Sequence, residues 1–391
     1  MNYDRTFNEL STIRKKLHQY PELARKEKQT SNFIKEIISD FNPDEVIENL
    51  GGYGIAFIFN GSDFGPKILL RCELDAIPVQ ESNSLNYHSR YKGISHNCGH
   101  DGHMAIMIGV AKRLAKNRMK KGKVILLFQP SEETGEGAQR VLADNKFQKL
   151  NPDFVFALHN LPGYEKNTII IKENNFASAS KGMEIKFFGK TAHAAEPENG
   201  NTPVLAVSKI IQSLTLLGKN PFLKNLQGNP KSQFKDFSLI TIIHTLLGSI
   251  AYGTTPGYAE IRATLRTFDS SDMKKLSKAA IEIVRSNCEQ ADLKYEINWK
   301  EEFPVTTNNK DAVKIVKKAS VYENLKIKEI QTPFKWSEDF GHFTNNFPGA
   351  MFGLGTGKDC AQLHNPNYDF PDEIIEPGIT IYYKIIQLLE S

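Results

Sequence analysis

Between Ser95 and His103 the chain reads Ser-His-Asn-Cys-Gly-His-Asp-Gly-His, which brings a thiol, imidazoles and a carboxylate into nine residues. Cys98 and His100 alternate, so on an extended or tightly turned backbone both side chains can point the same way. Gly99 and Gly102 let that backbone bend close to a bound ion. A thiolate two residues from an imidazole suits a borderline-soft divalent ion such as Zn²⁺, and Mn²⁺, Co²⁺ or Ni²⁺ also fit the donor set. The same stretch also reads as a polar loop with a cysteine filling the core, so its assignment rests on the rest of the chain.

Three further places carry chemistry. The apolar run Lys123–Phe128 leads into Gln129-Pro130-Ser131-Glu132-Glu133. On an extended backbone the two glutamates would point to opposite sides, so one can bind an ion while its neighbour faces the open side. A carboxylate beside a metal-activated water can take its proton and pass it to a leaving amine; the competing reading is an exposed acidic turn. His159 closes the apolar run Phe154–Leu158, where a satisfied core histidine is the alternative, and His364 sits in Leu-His-Asn-Pro, which also reads as an ordinary turn. Together Cys98, His100, Glu133, His159 and His364 offer more donors than one structural tetrahedral zinc takes, and five donors shared by two ions leave positions for water and substrate.

The elements that must position these residues follow from length and pattern. A chain of 391 residues is long enough for two domains. Hydrophobic residues at 40% and charged residues at 24% describe an ordinary globular composition. The balance of 49 Lys+Arg against 45 Asp+Glu is too mild for a nucleic-acid binder. No apolar run is long enough to span a bilayer, and the first residues lack the apolar core of a signal peptide. Four scattered cysteines, Cys72, Cys98, Cys288 and Cys360, argue against a disulfide framework and for a reducing cytoplasm.

Residues 5–39 read as a helical segment broken at Tyr20-Pro21-Glu22. Short strands are predicted at Val46–Asn49 and Gly54–Phe59, and Lys67–Cys72 reads as a strand buried on both faces. That strand runs into Glu73-Leu74-Asp75, the end of an α/β strand where ligands sit. Met104, Met107, Ile108, Ala111 and Leu114 recur at helical spacing as core residues, and Gly122 closes the segment. Strand–motif–helix alternation predicts an α/β fold with a central, mostly parallel sheet and flanking helices. From residue 178 the pattern becomes that of an inserted α+β domain, with strands at Glu184–Phe188, Leu239–Leu247 and Glu260–Leu265. Helices are predicted there at Val204–Leu217 and Met273–Cys288, and the stretch Leu217–Asp236 reads as an exposed loop. The expected division is 1–177 and 292–391 for the catalytic domain and 178–291 for the insert.

In their joint order these motifs resemble the M20-type metallopeptidases of the amidohydrolase branch, the aminoacylase-, hippurate-hydrolase- and auxin-conjugate-hydrolase-like enzymes. The matching stretches are Arg14-Lys-Lys-Leu-His-Gln-Tyr-Pro-Glu-Leu23, Glu73-Leu-Asp-Ala-Ile-Pro78, His96–His103, Phe128–Glu133, Ala157–Asn160, Gly189–Ala195, Ser337–Phe340 and Leu363–Pro366. The resemblance implies a zinc-peptidase-like fold and a two-metal hydrolase acting on the amide of N-acyl amino acids. Cys98, His100, Glu133, His159 and His364 would hold the metals, and Glu132 would be the general base and acid. The inserted domain would serve as lid and carry a homodimer contact, with His193 stabilising the oxyanion in the partner's site. From its own neighbours alone, His193 is a loop histidine among small residues.

Asp75 reads either as a group orienting a ligand histidine or as a strand-end cap. His103 and Asp101 read as helix N-terminal residues, and His96 as a non-ligand. Arg266 reads equally as a grip on a substrate carboxylate or as a strand-surface arginine, and Glu338-Asp339 as possible support for the site. The chain departs from the branch at Ala251-Tyr-Gly-Thr-Thr-Pro256, where an amide side chain is expected, which bears on substrate preference. Two other functions stay open on these residues: a dipeptidase or aminopeptidase of the same fold, and a non-catalytic metal-binding protein. A Cys98 nucleophile lacks a base and an orienting partner of its own.

Overall fold

The computed structural model describes residues 2–218 and 234–390, which fall into two compact units. Most of the loop expected over Leu217–Asp236 therefore lies outside the described residues. The first unit comprises Met1–Phe176, Thr306–Pro333 and Glu338–Ser391; the second comprises Ala177–Val305 with Phe334–Ser337.

The first unit opens with helices Asn2–Gln19 and Lys28–Ser39, separated at the expected proline. Strands β1 (Glu45–Leu50), β2 (Gly54–Asn60) and β3 (Asp63–Glu73) follow, then the helix His100–Lys116, β4 (Lys121–Gln129), β5 (Phe154–Pro162), β6 (Ile169–Ile171) and β7 (Asn174–Ala177). The apolar halves of β3 and β4 are buried throughout, as a sheet covered on both faces requires.

In the second unit β8 (Ala179–Phe188), β9 (Ser238–Leu247), β10 (Tyr258–Thr267) and β11 (Lys294–Phe303) form an antiparallel sheet in the order β11-β8-β10-β9. Helices Val204–Leu217 and Ser270–Gln290 share a core with it, built from residues such as Ile185, Phe187, Ile210, Leu214, Ile261 and Leu276. Asp269 caps the second helix by accepting the amides of Ser271 and Asp272. β11 pairs with β8, so this sheet continues past residue 291. Tyr295, Ile297 and Trp299 pack against the core of this unit at strand spacing, a period-2 pattern diluted by the charged residues between them.

The chain then returns to the first unit through β12 (Thr306–Asn308), which pairs with β7, and β13 (Ile327–Glu329) and β14 (Gly349–Gly357) complete the large sheet. Its order is β1-β2-β4-β3-β5-β14-β6-β13, with β4, β3, β5 and β14 pairing in parallel at the centre. Met104, Met107, Ile108, Ala111 and Leu114 are all fully buried against this sheet and the C-terminal helix Ile375–Glu390, so the methionines are core residues. The parallel arrangement directs the carboxyl ends of β3, β4 and β14 the same way, with His159 three residues from the end of β5.

Candidate metal centre and active site

The helix His100–Lys116 starts abruptly, and its first turn is aimed by glycine. Gly99 has φ +90°, and a Cβ there would lie 2.7 Å from the Asn160 amide. Only a residue without a side chain permits that approach, which sets Cys98 and His100 on the two sides of a tight bend. The His100 Nδ1–H donates to the Asp75 carbonyl at 2.7 Å, so its Nε2 lone pair faces away from that partner. The His159 Nδ1–H similarly donates to the Asn160 carbonyl at 2.9 Å, leaving Nε2 3.7 Å from the Cys98 sulfur.

The donor atoms of Cys98, His100 and His159 lie within 4.8 Å of one another, and so do those of Cys98, Glu133 and His364. The structure thus brings all five expected ligands together in two triplets sharing the thiol. His364 reaches this place from a loop residue with φ +63°, its amide donating to the Asn97 carbonyl at 2.9 Å and its Nε2 lying 3.5 Å from Glu133. Among the described residues, buried donor atoms here lack hydrogen-bond partners: His100 Nε2 and Glu133 Oε1. Burial, Glu133 and Glu132 push the Cys98 thiol far above its ordinary value. A buried thiol among carboxylates and orphaned lone pairs fits a cation site, because a cation stabilises the thiolate and satisfies those atoms.

Glu132 and Glu133 do not continue β4 as extended backbone. The chain turns, with the Gly135 amide donating to the Glu132 carbonyl at 2.8 Å, because Ser131 takes φ +56°. Glu132 therefore does not face an open side: it is 5% exposed, and the Asp339 amide donates to its Oε1 at 3.4 Å. Burial first, then Glu338, Glu133 and Asp339, raise its proton affinity well above that of an ordinary carboxylate. Glu133 goes the other way: against burial, His364 and His100 hold it down to about 2.

Asp75 works through two groups. Its carboxylate accepts the Glu132 and Glu133 amides at 3.0 and 2.9 Å, while its carbonyl, not its carboxylate, orients His100. His103 is held within the protein on both sides of its ring. Its Nε2 accepts the Asn160 amide at 3.1 Å and its Nδ1–H donates to Glu73 at 2.6 Å, which uses both nitrogens. Asp101 starts the helix but pairs with His18 and Arg14. His96 is buried with neither ring nitrogen partnered among the described residues, and burial lowers it to about 3.

The residue that sequence reasoning passed over is Arg71. It is fully buried and donates to Gln129 at 2.8 Å, Glu338 at 2.9 Å and Asp339 at 2.6 Å, and it also pairs with Glu73. Asp339 in turn accepts the Gln129 side chain and the Ala138 amide, each at 2.8 Å. The available signal was an arginine inside an otherwise apolar, doubly covered strand, which needs buried carboxylates somewhere.

His193 and Arg266 belong to the second unit. His193 is exposed, and its Nδ1 accepts the Ala195 amide at 3.1 Å, so its Nε2 carries the proton. The Ala251–Pro256 stretch runs beside it: the Ala194 amide donates to the Gly253 carbonyl at 3.0 Å and the Thr255 amide to the Ala192 carbonyl at 2.9 Å. Arg266 donates to the Lys335 carbonyl at 3.1 Å and to Ser337 Oγ at 3.0 Å.

Comparison with known proteins agrees with this architecture. The chain is 31% identical over 98% of its length to N-acetyl-L-cysteine deacetylase of Bacillus subtilis, covering 89% of that protein. It is 28% identical over 96% of its length to hippurate hydrolase of Campylobacter jejuni, covering 95% of it. Among solved structures, a Bacillus subtilis dinuclear metal-binding peptidase of the M20 family superimposes with TM-score 0.80 at 24% identity, covering 100% of this chain and 99% of that one. A putative aminohydrolase from methicillin-resistant Staphylococcus aureus gives TM-score 0.85 at 22% identity, covering 99% and 98%. Residues 69–388 match the family described as peptidase family M20/M25/M40, and this chain belongs to that family.

Proposed function

We propose that the protein is a metal-dependent amidohydrolase that cleaves the amide of N-acyl amino acids, releasing a carboxylate and a free amine. The observation that carries this reading is Glu132, a buried carboxylate that belongs to neither of the two donor triplets that share Cys98 but lies beside them. A purely structural metal site has no use for such a group. The names of the relatives, a deacetylase of N-acetyl-L-cysteine and a hippurate hydrolase, support the substrate class.

Cys98, His100, Glu133, His159 and His364 would hold two divalent ions, Zn²⁺ or Mn²⁺ in the first place. When bound, these ions supply Lewis-acid polarisation of the scissile carbonyl and acidify a water. Glu132 takes a proton from the attacking water as the C–O bond forms, then gives it to the amine nitrogen as the C–N bond breaks. The Asp339 amide donates to that carboxylate, and Arg71 holds the Asp339 side chain. His193, with its proton on Nε2, would donate to the oxyanion; by resemblance it serves the site of a second copy of the chain. β9, an edge strand among the described residues, with Ile243, Leu246 and Leu247 exposed, supports a homodimer through the inserted domain. A reducing compartment suits its four free cysteines, the cytoplasm being the reading we favour.

The test is metal content by plasma mass spectrometry, with amino-acid release from a panel of N-acyl amino acids and dipeptides. Two ions per chain and chelator-sensitive release from N-acyl substrates are expected. Glu132→Gln should keep both ions while kcat falls by about 10³-fold or more. Turnover of dipeptides alone would move the chain to a peptidase role, and metal without turnover would make it a binding protein.

A further inference from the structure

Three successive amides carry the backbone through the turn that presents Glu132, and a buried carboxylate oxygen accepts each of them. Glu132 and Glu133 donate to the two oxygens of Asp75, and Ser131 donates to Glu27 Oε1 at 2.8 Å. Glu27 lies more than a hundred residues earlier, at the start of the helix Lys28–Ser39. It occupies that helix's N-cap position, yet its carboxylate makes no cap hydrogen bond. It reaches instead to Ser131, taking the Oγ–H at 3.1 Å as well as the amide.

Two features make this more than packing. Ser131 has φ +56°, a conformation that side chains with a Cβ avoid, so something must hold it there. All its polar groups are engaged: Oγ accepts the Arg25 amide at 3.0 Å, and its carbonyl accepts the Gly137 amide at 3.0 Å and Thr134 Oγ1 at 3.3 Å. Glu27 is also a poor choice for stability alone. It is fully buried, forms no ion pair among the described residues, and its second oxygen has no partner. A buried carboxylate without a cation disfavours folding. Burial raises its proton affinity, as expected of such a group.

We propose that Glu27 is a positioning residue for catalysis: by holding Ser131 in the left-handed conformation, it sets the direction in which Glu132 leaves the turn. The proposal rests on the reading of Glu132 as the proton carrier. Asp75 fixes the two amides downstream; Glu27 fixes the residue where the turn begins, which no cap or core contact explains.

The test uses the full chain, metal-free and Mn²⁺-loaded, as parental protein, Glu27→Ala, Glu27→Gln, Ser131→Gly and the Glu27→Ala/Ser131→Gly double variant. Amide exchange followed by mass spectrometry should rise in Glu27→Ala for peptides covering 130–136, while those from the helix His100–Lys116 stay at parental protection. With an N-acetyl amino acid, kcat should fall by about 10- to 100-fold, as a small misplacement of a reacting group costs. KM and the metal content should be unchanged. Glu27→Gln, whose amide oxygen still accepts from Ser131, should restore most of kcat. The Glu27→Ala loss should shrink in the Ser131→Gly background, because glycine adopts positive φ freely. Parental exchange at 130–136 in Glu27→Ala would overturn the proposal. So would a loss of turnover that tracks lost metal or unfolding and is not rescued by Gln. If the parental protein cleaves no N-acyl amino acid, the functional reading fails, and the exchange comparison still decides the clamp.

Discussion

Two adjacent carboxylates end in opposite electrostatic states, because one is surrounded by rings and the other by acids. Glu133 meets His364 and His100, whereas Glu132 meets Glu338 and Asp339, and Asp339 itself is pushed up to about 7 by burial and by Glu338 despite Arg71. The same reasoning applies at His18, whose ring lies between Asp101 at 2.8 Å and Glu81 at 2.9 Å. Against the cost of burial, these acids raise His18 from 6.5 to about 9. A raised value means that the folded chain binds this proton more tightly than the unfolded chain. The stabilisation is therefore complete below pH 6.5 and is lost as pH rises through about 9. A shift of that size corresponds to at most about 3 kcal/mol. Urea unfolding of the parental protein should weaken across this window, and His18→Gln should flatten the change. A variant curve parallel to the parental one would take His18 out of the account. The donor types at Cys98, His100 and Glu133 could be read from sequence because their chemistry is written in their identities. The roles of Arg71, Glu27 and His18 could not, since each depends on a partner that only the tertiary fold brings near.

At the scale of elements, the site is a set of strand ends and one helix start. β3 and β4 were legible as apolar runs ending in acids, and the helix from His100 as a periodic core stripe. The turn at Ser131 was not, because a serine at positive φ carries no local signature and exists only under tertiary restraint. Gly99 tests how closely the helix start and the ligands are linked. A Cβ at φ +90° and 2.7 Å from the Asn160 amide must displace either the bend or Asn160, whose side chain also donates to Tyr368. Gly99→Ala should lower the bound metal below two ions per chain and reduce turnover by about 10²-fold or more. Thermal unfolding of the metal-free protein should drop only modestly, because the buried helix stripe is untouched. Full metal content with parental kcat in Gly99→Ala would show that the bend does not set the ligands.

On the scale of the whole molecule, the change to α+β texture near residue 178 was legible, and the far side of the insert was harder. β11 hides Tyr295, Ile297 and Trp299 among charged neighbours, so its period-2 face is faint until β8 is seen to pair with it. The opposite edge of that sheet is β9. Among the described residues β9 has no strand partner on its outer side; Ile243, 62% exposed, sits at a bulge in the pairing with β10, and Leu246 is 40% exposed. Sedimentation of the parental protein should give a dimer, and Ile243→Lys with Leu246→Glu a monomer that keeps its metal. If His193 serves a second copy, the monomer should lose turnover by about 10²-fold, as His193→Ala should. Complementation separates the two arrangements. His193→Ala and Glu132→Gln are each expected to be nearly inactive alone. After unfolding and refolding together, half of the dimers should be mixed, and in each of these one site combines an intact Glu132 with the partner's intact histidine. Activity should then return to about a quarter of the parental value. A mixture no more active than its parts would mean that each chain uses its own His193 or none.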